Sequence, residues 1–306
     1  MLIPWWLPVG LSILLIHTFY PWFRKKYVVA KDLEERFLLQ YCLCAVAAFL
    51  IALLLRQIRF DGTMLLILSL GVANGFAAFC QWKATFTNLS KLSVLAVLDD
   101  SVAITLGYLF LDEKRFLNRG LLLGLLLAAI TAFLFVLNDA RKNHPGVSQT
   151  LLRVQRLFYF YVLSYSLIWG IYGFSKRYFA LEGTGKGTFF LGWYGGSLLS
   201  ALIIFFVAKR RTTSPLYQLA ASLNKNTSLI VAGSCAFVMT GLALSYWSSQ
   251  LAPLVVTEPY YLLAEMVIPA ATGLILFREG RSLELKEKIP FALGVLAALL
   301  IALNYH

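Results

Sequence analysis

Apolar runs of about 20 residues recur along the chain, and each is long enough to cross the hydrocarbon core of a bilayer as an α-helix. The composition agrees: of the 306 residues, 59% are hydrophobic and only 14% are charged, too few charges to cover a soluble surface. The pattern predicts an all-α polytopic membrane protein with ten transmembrane helices and no sizeable soluble domain. The runs occupy residues 4–23, 35–55, 63–85, 88–111, 118–138, 157–178, 187–208, 227–249, 252–277 and 288–304.

The formal net charge of +12 comes from basic residues that cluster in the short loops between the runs. This distribution is typical of membrane anchoring rather than of nucleic-acid binding. We therefore expect the lipid bilayer and a small-molecule substrate as partners, and no nucleic acid. Loops after odd-numbered runs hold more Lys and Arg than loops after even-numbered runs. Because loops rich in these residues face the cytoplasm, this count predicts that both termini lie outside it.

The first run is not expected to be a cleaved signal, because it lacks a basic segment before it and Arg24, Lys25 and Lys26 follow it. The predicted location is an integral multi-pass protein of the cell membrane, or of the inner membrane in a bacterium.

The most polar break, residues 139–156, divides the chain into halves of five runs each, 1–138 and 157–306. Within these halves, Asp99 precedes Glu113 by as many residues as Glu265 precedes Glu279. At almost the same offset, one face of the third run corresponds to one of the eighth: Asn74, Ala78, Gln81 and Thr85 fall on Met239, Ala243, Tyr246 and Gln250. Since five is odd, the second copy must enter the membrane inverted, as in many secondary transporters.

Three stretches carry a resemblance to a known family. "VLDDSVAITLGYLFLDEKR" followed by "GLLLGLLLAAITAFLFVLN" resembles the EamA-like repeat of the drug/metabolite transporter superfamily. "AEMVIPAATGLILFREGR" with "PFALGVLAALLIALN" is similar to a second copy, and "LIWGIYGFSKRY" to the start of its first helix. The resemblance implies secondary transport by two inverted five-helix repeats, here 1–138 and 157–306, with cytoplasmic termini.

The chain departs from that family pattern at several positions. Asp100 stands where the family often has proline, and Glu113 and Glu279 lack the usual preceding glycine. The first run also lacks the Trp-Gly pair that the sixth run has at Trp169-Gly170.

Two runs carry carboxyl groups near their middle: Asp99 and Asp100 in the fourth, and Glu258 and Glu265 in the ninth. An ionisable group at the bilayer centre costs about 2.5–3.5 kcal/mol on insertion scales and needs a partner or water. One hypothesis is that these acids line a central cavity, bind a cationic or proton-bearing substrate and exchange protons. The alternative is a set of structural ion pairs with basic residues of other runs, for which the candidates are His17, Lys83, Lys91 and Lys176.

Polar and aromatic stripes give the remaining site candidates. The sixth run carries Tyr165, Trp169, Tyr172 and Lys176, the first carries His17, Tyr20 and Arg24, and the repeat adds Asn74, Gln81, Tyr246 and Gln250. Aromatic stripes are equally typical of helix packing and interface belts. Gly71-x-x-x-Gly75 and Gly120-x-x-x-Gly124 predict close helix packing, and Glu113 and Glu279 predict loop ion pairs at run ends.

Several function classes lack their motifs. There is no GxxxxGK[ST] for ATP hydrolysis, and the three histidines, His17, His144 and His306, include no HExxH. The four cysteines, Cys42, Cys44, Cys80 and Cys235, all lie inside runs, so neither a disulfide framework nor a metal site is expected. We predict a transporter without a cofactor, not an enzyme.

The main alternative to a transporter is a scaffold or partner subunit whose helices pack without a polar cavity. The substrate class stays open among amino acids, other small metabolites, amphipathic drugs and nucleotide-linked sugars. The aromatic and acidic residues favour amphipathic or amine-bearing compounds.

Overall fold

Helices make up all the regular structure in residues 4–28, 32–111, 118–141, 149–210, 219, 224–279 and 285–304, which this computed structural model describes. Eight of the helices, α1 to α8, are long and apolar enough to cross a membrane, the architecture of a multi-pass membrane protein. In chain order the helices are α1 (Trp6–Val28), α2 (Leu33–Leu54), α3 (Gly62–Thr87), α4 (Leu89–Phe110), α5 (Arg119–Arg141), α6 (Gln149–Leu181), α7 (Lys186–Ala208), α8 (Lys225–Leu251), α9 (Leu254–Ile275) and α10 (Leu285–Leu303).

Two helices extend beyond the apolar runs that predicted them. Helix α1 continues through Arg24 to Val28, and π-helical turns interrupt it at Ile13–Phe19 and Arg24–Val28. Arg24 does not end the helix because its guanidinium is buried and donates a hydrogen bond to Gln81 of α3. Helix α6 begins at Gln149, inside the stretch 139–156 that the sequence assigned to a loop.

Side-chain caps fix the starts of four helices, among them α5, where Asn118 accepts a hydrogen bond from the Leu121 amide (2.9 Å). Asp61 accepts a hydrogen bond from the Met64 amide (2.9 Å) at α3, and Asn224 caps α8 in the same way. Asn88 accepts from the Lys91 amide (2.8 Å) at α4. Each cap satisfies a backbone N–H that has no partner within the helix. Because Asn88 alone separates α3 from α4, these two helices meet in a tight turn.

The outer surface is apolar. Leu54 is 81% exposed, Phe60 87% and Leu229 72%, far more apolar exposure than a soluble monomer carries. These side chains are suited to contact lipid rather than water.

Glycines allow two close helix crossings. A Cβ atom on Gly71 of α3 would lie 2.3 Å from the carbonyl oxygen of Trp193 of α7, and one on Gly75 would lie 2.8 Å from another α7 carbonyl. On α5, a Cβ on Gly124 would lie 3.0 Å from the Ile301 amide nitrogen of α10, and one on Gly120 would lie 2.1 Å from the side chain of Asn304, just after α10. Both predicted close-packing motifs are confirmed, because only residues without a side chain let backbones approach this far.

Helix contacts follow a regular scheme. Helix α3 packs on α6 and α7, helix α4 packs on α6 and α9, and α5 packs on α10. Helix α1 packs on α8 and α9, and α2 packs on α7 and α8. The first five helices therefore meet the last five along the centre of the molecule, where the polar residues collect.

Candidate functional site

A cavity of about 230 Å³ lies among α1, α2, α3, α4, α6, α7, α8 and α9. It contains ten of the twelve residues that the sequence proposed as binding residues: His17, Asn74, Gln81, Asp99, Asp100, Trp169, Tyr172, Lys176, Glu258 and Glu265. The two aromatic and polar stripes predicted on α1 and α6 both face this cavity. Residues far apart in sequence thus share one polar space inside an otherwise apolar bundle.

Asp99 and Asp100 lie at a break in α4. The helix is interrupted at Ala96, and the Asp99 amide bonds to the Ala96 carbonyl oxygen (3.1 Å) instead of continuing the regular ladder. The Asp99 carboxyl group then accepts the Asp100 amide hydrogen (3.1 Å). Both acids occupy the first turn of the second segment, where the helix dipole favours negative charge. This break gives a structural reason for adjacent aspartates in an apolar run.

The two glutamates of α9 have basic neighbours from other helices. Lys176 Nζ of α6 lies 3.5 Å from Glu258 Oε1, and His17 Nδ1 of α1 lies 3.7 Å from Glu265 Oε2. Two of the four candidate partners therefore contact α9 acids. A third, Lys83, binds Glu34 (2.9 Å) outside the cavity. The structural ion pairs and the cavity, predicted as alternatives, occur together.

Lys176 is held on several sides. Its ammonium group donates to the Ser245 hydroxyl of α8 (2.5 Å) and lies over the ring of Tyr172 (5.6 Å) and that of Tyr261 (5.8 Å). These contacts fix a permanent positive charge next to Glu258, since a cation over an aromatic face is favourable.

Acidic groups outnumber basic groups in the lining of the cavity. The lining residues include four carboxyl groups but only two permanent cations, Arg24 and Lys176, with His17 as a third basic group. The four acids interact electrostatically with one another. Because uncompensated charge in a low-dielectric interior is costly, the four acids are not all ionised together unless further positive charge is present.

An ordered polar wall faces the acids. Trp169 Nε1 donates to Asn74 Oδ1 (3.1 Å), and Asn74 Nδ2 donates to the Ser197 hydroxyl (2.9 Å). The rings of Tyr172 and Trp193 lie 4.1 Å apart between centroids. The wall connects α3, α6 and α7 and presents aromatic faces to the cavity.

Two predicted binding residues lie elsewhere. Tyr246 is fully buried; its hydroxyl donates to the Thr184 carbonyl (2.7 Å), and its ring packs on Phe189 at 4.5 Å. Gln250 is exposed in the last turn of α8. Neither residue lines the cavity, so the matching sequence positions of α3 and α8 occupy different environments.

Other lining residues were missing from the sequence-based set. The sequence feature that could have identified them is a polar or aromatic residue within an apolar helix, as in "LLQYC" of α2. Such residues are too common to single out a site. The missed residues include Ser12, Gln40, Tyr41, Trp193, Tyr194 and Ser245.

Glu279, which follows α9, lies outside the cavity lining. The sequence predicted a loop ion pair here, yet the partners come from distant helices: Lys25 of α1 and the Leu89 amide of α4 (3.1 Å). Burial alone would raise the pKa of Glu279, but hydrogen bonds from Lys25 and Ser90 outweigh it and lower the pKa. Glu113, its predicted counterpart, lies outside the described residues.

A second ion pair lies at the end of α7. Lys209 Nζ is 2.6 Å from Glu35 Oε1, and this hydrogen bond raises the pKa of Lys209. It ties α7 to the start of α2.

The described residues contain no group of three His, Cys, Asp or Glu side chains that could hold a metal ion. Cys44 of α2 and Cys235 of α8 are free thiols whose sulfurs lie 3.3 Å apart. The site is thus built from carboxyl, basic and aromatic groups.

Comparisons with known proteins bear on the fold only. No protein-family model matches the chain, and no curated protein matches it. Among solved structures, 16 chains match. One, described as "Crystal structure of protein", is 17% identical, with a TM-score of 0.60 over 98% of this chain and 96% of its own. At this identity the likeness shows a shared fold and says nothing about activity.

Proposed function

We propose that this protein is a secondary transporter of the EamA-like, drug/metabolite transporter type. In this proposal all ten helices cross the membrane, residues 1–138 and 157–306 form inverted repeats, and a small metabolite or amphipathic compound moves by alternating access. Protons are coupled to transport through the intramembrane carboxyl groups. The polar cavity between the two halves is the observation that carries the proposal.

The pairing of helices supports the inverted repeat. Helices five places apart in the chain, such as α1 and α6 or α3 and α8, make corresponding contacts. Helix α3 contacts α6 and α7, and its counterpart α8 contacts their counterparts α1 and α2. The contact of α4 with α6 recurs as that of α9 with α1, while α2 with α7, α4 with α9 and α5 with α10 map onto themselves. A two-fold relation of this kind is typical of transporters whose substrate site lies at the repeat interface.

The position of the acids supports transport over a scaffold role. A scaffold gains nothing from four carboxyl groups around a cavity, since each costs free energy in the membrane. Here Asp99 and Asp100 of α4 and Glu258 and Glu265 of α9 come from the two proposed halves and line one space. Groups so placed can exchange protons and substrate as the two halves move.

Reconstituted protein tests the proposal. We expect uptake of at least one compound from a radiolabelled panel of amino acids, amines and other small metabolites, and a changed rate under an imposed pH gradient. Asp99→Asn, Asp100→Asn and Glu265→Gln should each lower this uptake about tenfold or more. Asp61→Asn is the control, because Asp61 is an exposed helix cap outside the cavity and asparagine caps equally well.

Two results would contradict the proposal. If all three variants transported like wild type, the proton-linked role of these acids would be wrong. If wild type transported nothing from the panel, and replacing all four acids by alanine left a folded protein of unchanged stability, a scaffold or partner subunit would be the better account.

A further inference from the structure

The larger number of acidic than basic groups in the cavity lining limits the charge of the ligand that the cavity can bind. Four carboxyl groups line the cavity with the basic groups of Arg24, Lys176 and His17. A bound anion would require the acids to stay protonated, and a neutral compound would leave their protonation unchanged. A bound cation stabilises the ionised form of one acid, so electrostatics favour a positively charged ligand.

Two of the four acids have a buried oxygen without a hydrogen-bond partner among the described residues, Asp100 Oδ2 and Glu258 Oε1, and only the second has a cation beside it, Lys176 at 3.5 Å. Glu258 and Glu265 have Lys176 and His17 nearby, and Asp99 accepts the amide hydrogen of Asp100. Asp100 is only 7% exposed, and its Oδ2 has no hydrogen-bond partner within the described part of the chain. A buried acceptor without a donor costs free energy that a ligand N–H group removes.

The aromatic wall lies level with Asp100. A Cβ on Gly170 of α6 would lie 2.7 Å from the Asp99 carbonyl oxygen, and one on Gly173 would lie 3.0 Å from the Ala103 Cβ. The α6 segment that carries Trp169 and Tyr172 therefore runs directly beside the first turn after the α4 break. Both aromatic residues line the cavity together with Asp100.

The size of the cavity sets the size of the ligand. The cavity volume of about 230 Å³ lies below the range of about 300–1,000 Å³ that is typical of pockets for drug-sized ligands. The cavity in this conformation therefore favours compounds smaller than drugs.

We infer that the cavity binds a small organic monocation, with the ammonium group on Asp100 and an apolar or aromatic body against Trp169 and Tyr172. This inference rests on the proposed transport function and adds the substrate class. The ammonium group donates to Oδ2 of Asp100, and the aromatic faces stabilise the positive charge. Arg24 and Lys176 stay with their protein partners and repel a second positive charge on the ligand.

Equilibrium binding to the purified protein in nanodiscs tests the inference with four probes. These are phenethylamine and hexylamine, and their neutral counterparts 2-phenylethanol and hexanol. We expect both amines to bind at least tenfold more tightly than the matched alcohols, because hydrogen bonds to charged groups contribute about 1.5–3 kcal/mol. Asp100→Asn should remove most of this preference, whereas Asp61→Asn should keep it. An amine preference that is absent in wild type, or undiminished in folded Asp100→Asn protein, would overturn the inference.

A second measurement needs no variant. Dicyclohexylcarbodiimide modifies protonated carboxyl groups in apolar surroundings, and mass spectrometry locates the modified residue. Phenethylamine should slow the modification of Asp100 severalfold, and 2-phenylethanol should leave it unchanged. Equal modification with both probes would refute the ammonium site even if the Asp100→Asn protein failed to fold.

Uptake assays separate this inference from the proposed function. Amine binding without uptake of any amine into proteoliposomes would support the site and contradict transport. Uptake of neutral or anionic metabolites by a protein that binds none of the amines would support transport and overturn the amine site.

Discussion

The carboxylate of Glu279 accepts hydrogen bonds from both the backbone N–H (2.7 Å) and the hydroxyl group (2.6 Å) of Ser90. Glu279 follows the end of α9, and Ser90 lies in the first turn of α4, so one side chain caps a helix of the other half. Lys25 of α1 pairs with the same carboxylate and also donates to the Thr85 carbonyl (3.2 Å). Lys25 and Glu279 therefore link four helices, α1, α3, α4 and α9.

Replacing Glu279 by glutamine should loosen the start of α4. Glutamine keeps the shape but loses the charge that favours Lys25, Ser90 and the helix dipole, a change of about 0.5–2 kcal/mol for a helix cap. Hydrogen exchange measured by mass spectrometry should show faster exchange for the amides of residues 89–92. Asp61→Asn, a change at another capping carboxylate, should leave these amides unaffected. Unchanged exchange in Glu279→Gln would show that the contact does not hold α4.

Acid should weaken the same contact in a predictable direction. The pKa of Glu279 is lowered in the folded protein, so its stabilising effect is complete above the ordinary glutamate pKa of about 4.3. The effect is lost as pH falls through the lowered folded-state value. We expect wild type to melt at a higher temperature than Glu279→Gln at pH 6 and the difference to shrink towards pH 3. A difference that grew on acidification would contradict this assignment.

The sequence was sufficient to find the acidic residues of the cavity but not their partners. Carboxyl groups in apolar runs are costly, so Asp100 and Glu265 stand out without any structure. No spacing rule says that His17 contacts Glu265 while Lys25 contacts Glu279, because those contacts depend on how distant helices cross. Helix crossings follow from side-chain packing in three dimensions, which a periodic pattern does not record.

Similar sequence motifs in the two halves of the chain did not predict similar environments. Lys25 in "RKKY" and Lys176 in "SKRY" occupy corresponding positions, yet Lys25 binds Glu279 outside the cavity lining and Lys176 lies beside Glu258 in the cavity. Gln81 lines the cavity, but its counterpart Tyr246 is packed away from it. Two halves with the same sequence pattern therefore differ in contacts, and a sequence comparison alone does not show which half faces the cavity at a given position.

Adjacent glycines of α7 offer a matched test of the close crossing with α3. A Cβ on Gly196 would lie 2.1 Å from the Leu68 carbonyl oxygen, whereas one on Gly195 would have nothing within 4 Å. Gly196→Ala should destabilise the protein by about 1–3 kcal/mol, the usual cost of overpacking. Gly195→Ala should be neutral or slightly stabilising, since alanine favours a helix. Thermal melting in nanodiscs compares the two, and equal effects would contradict the crossing.

The Lys176–Glu258 pair should behave as a buried ion pair. Both side chains are nearly inaccessible, at 5% and 7% exposure. Removing one partner of such a pair costs about 3–5 kcal/mol, because it leaves the other charge uncompensated. Lys176→Met should therefore destabilise strongly, and the double variant Lys176→Met/Glu258→Gln should recover most of the loss.

The pair Lys83–Glu34 is the matched control for the variants of Lys176 and Glu258. Its atoms are closer, at 2.9 Å, but its side chains are 32% and 22% exposed, and accessible pairs contribute at most about 1 kcal/mol. Lys83→Met should thus have a small effect, although the distance alone would rank this pair first. A double-mutant cycle on melting of the reconstituted protein measures both couplings. Equal couplings, or a double variant less stable than Lys176→Met alone, would show that burial does not determine the strength of the pair that holds Glu258 in the cavity.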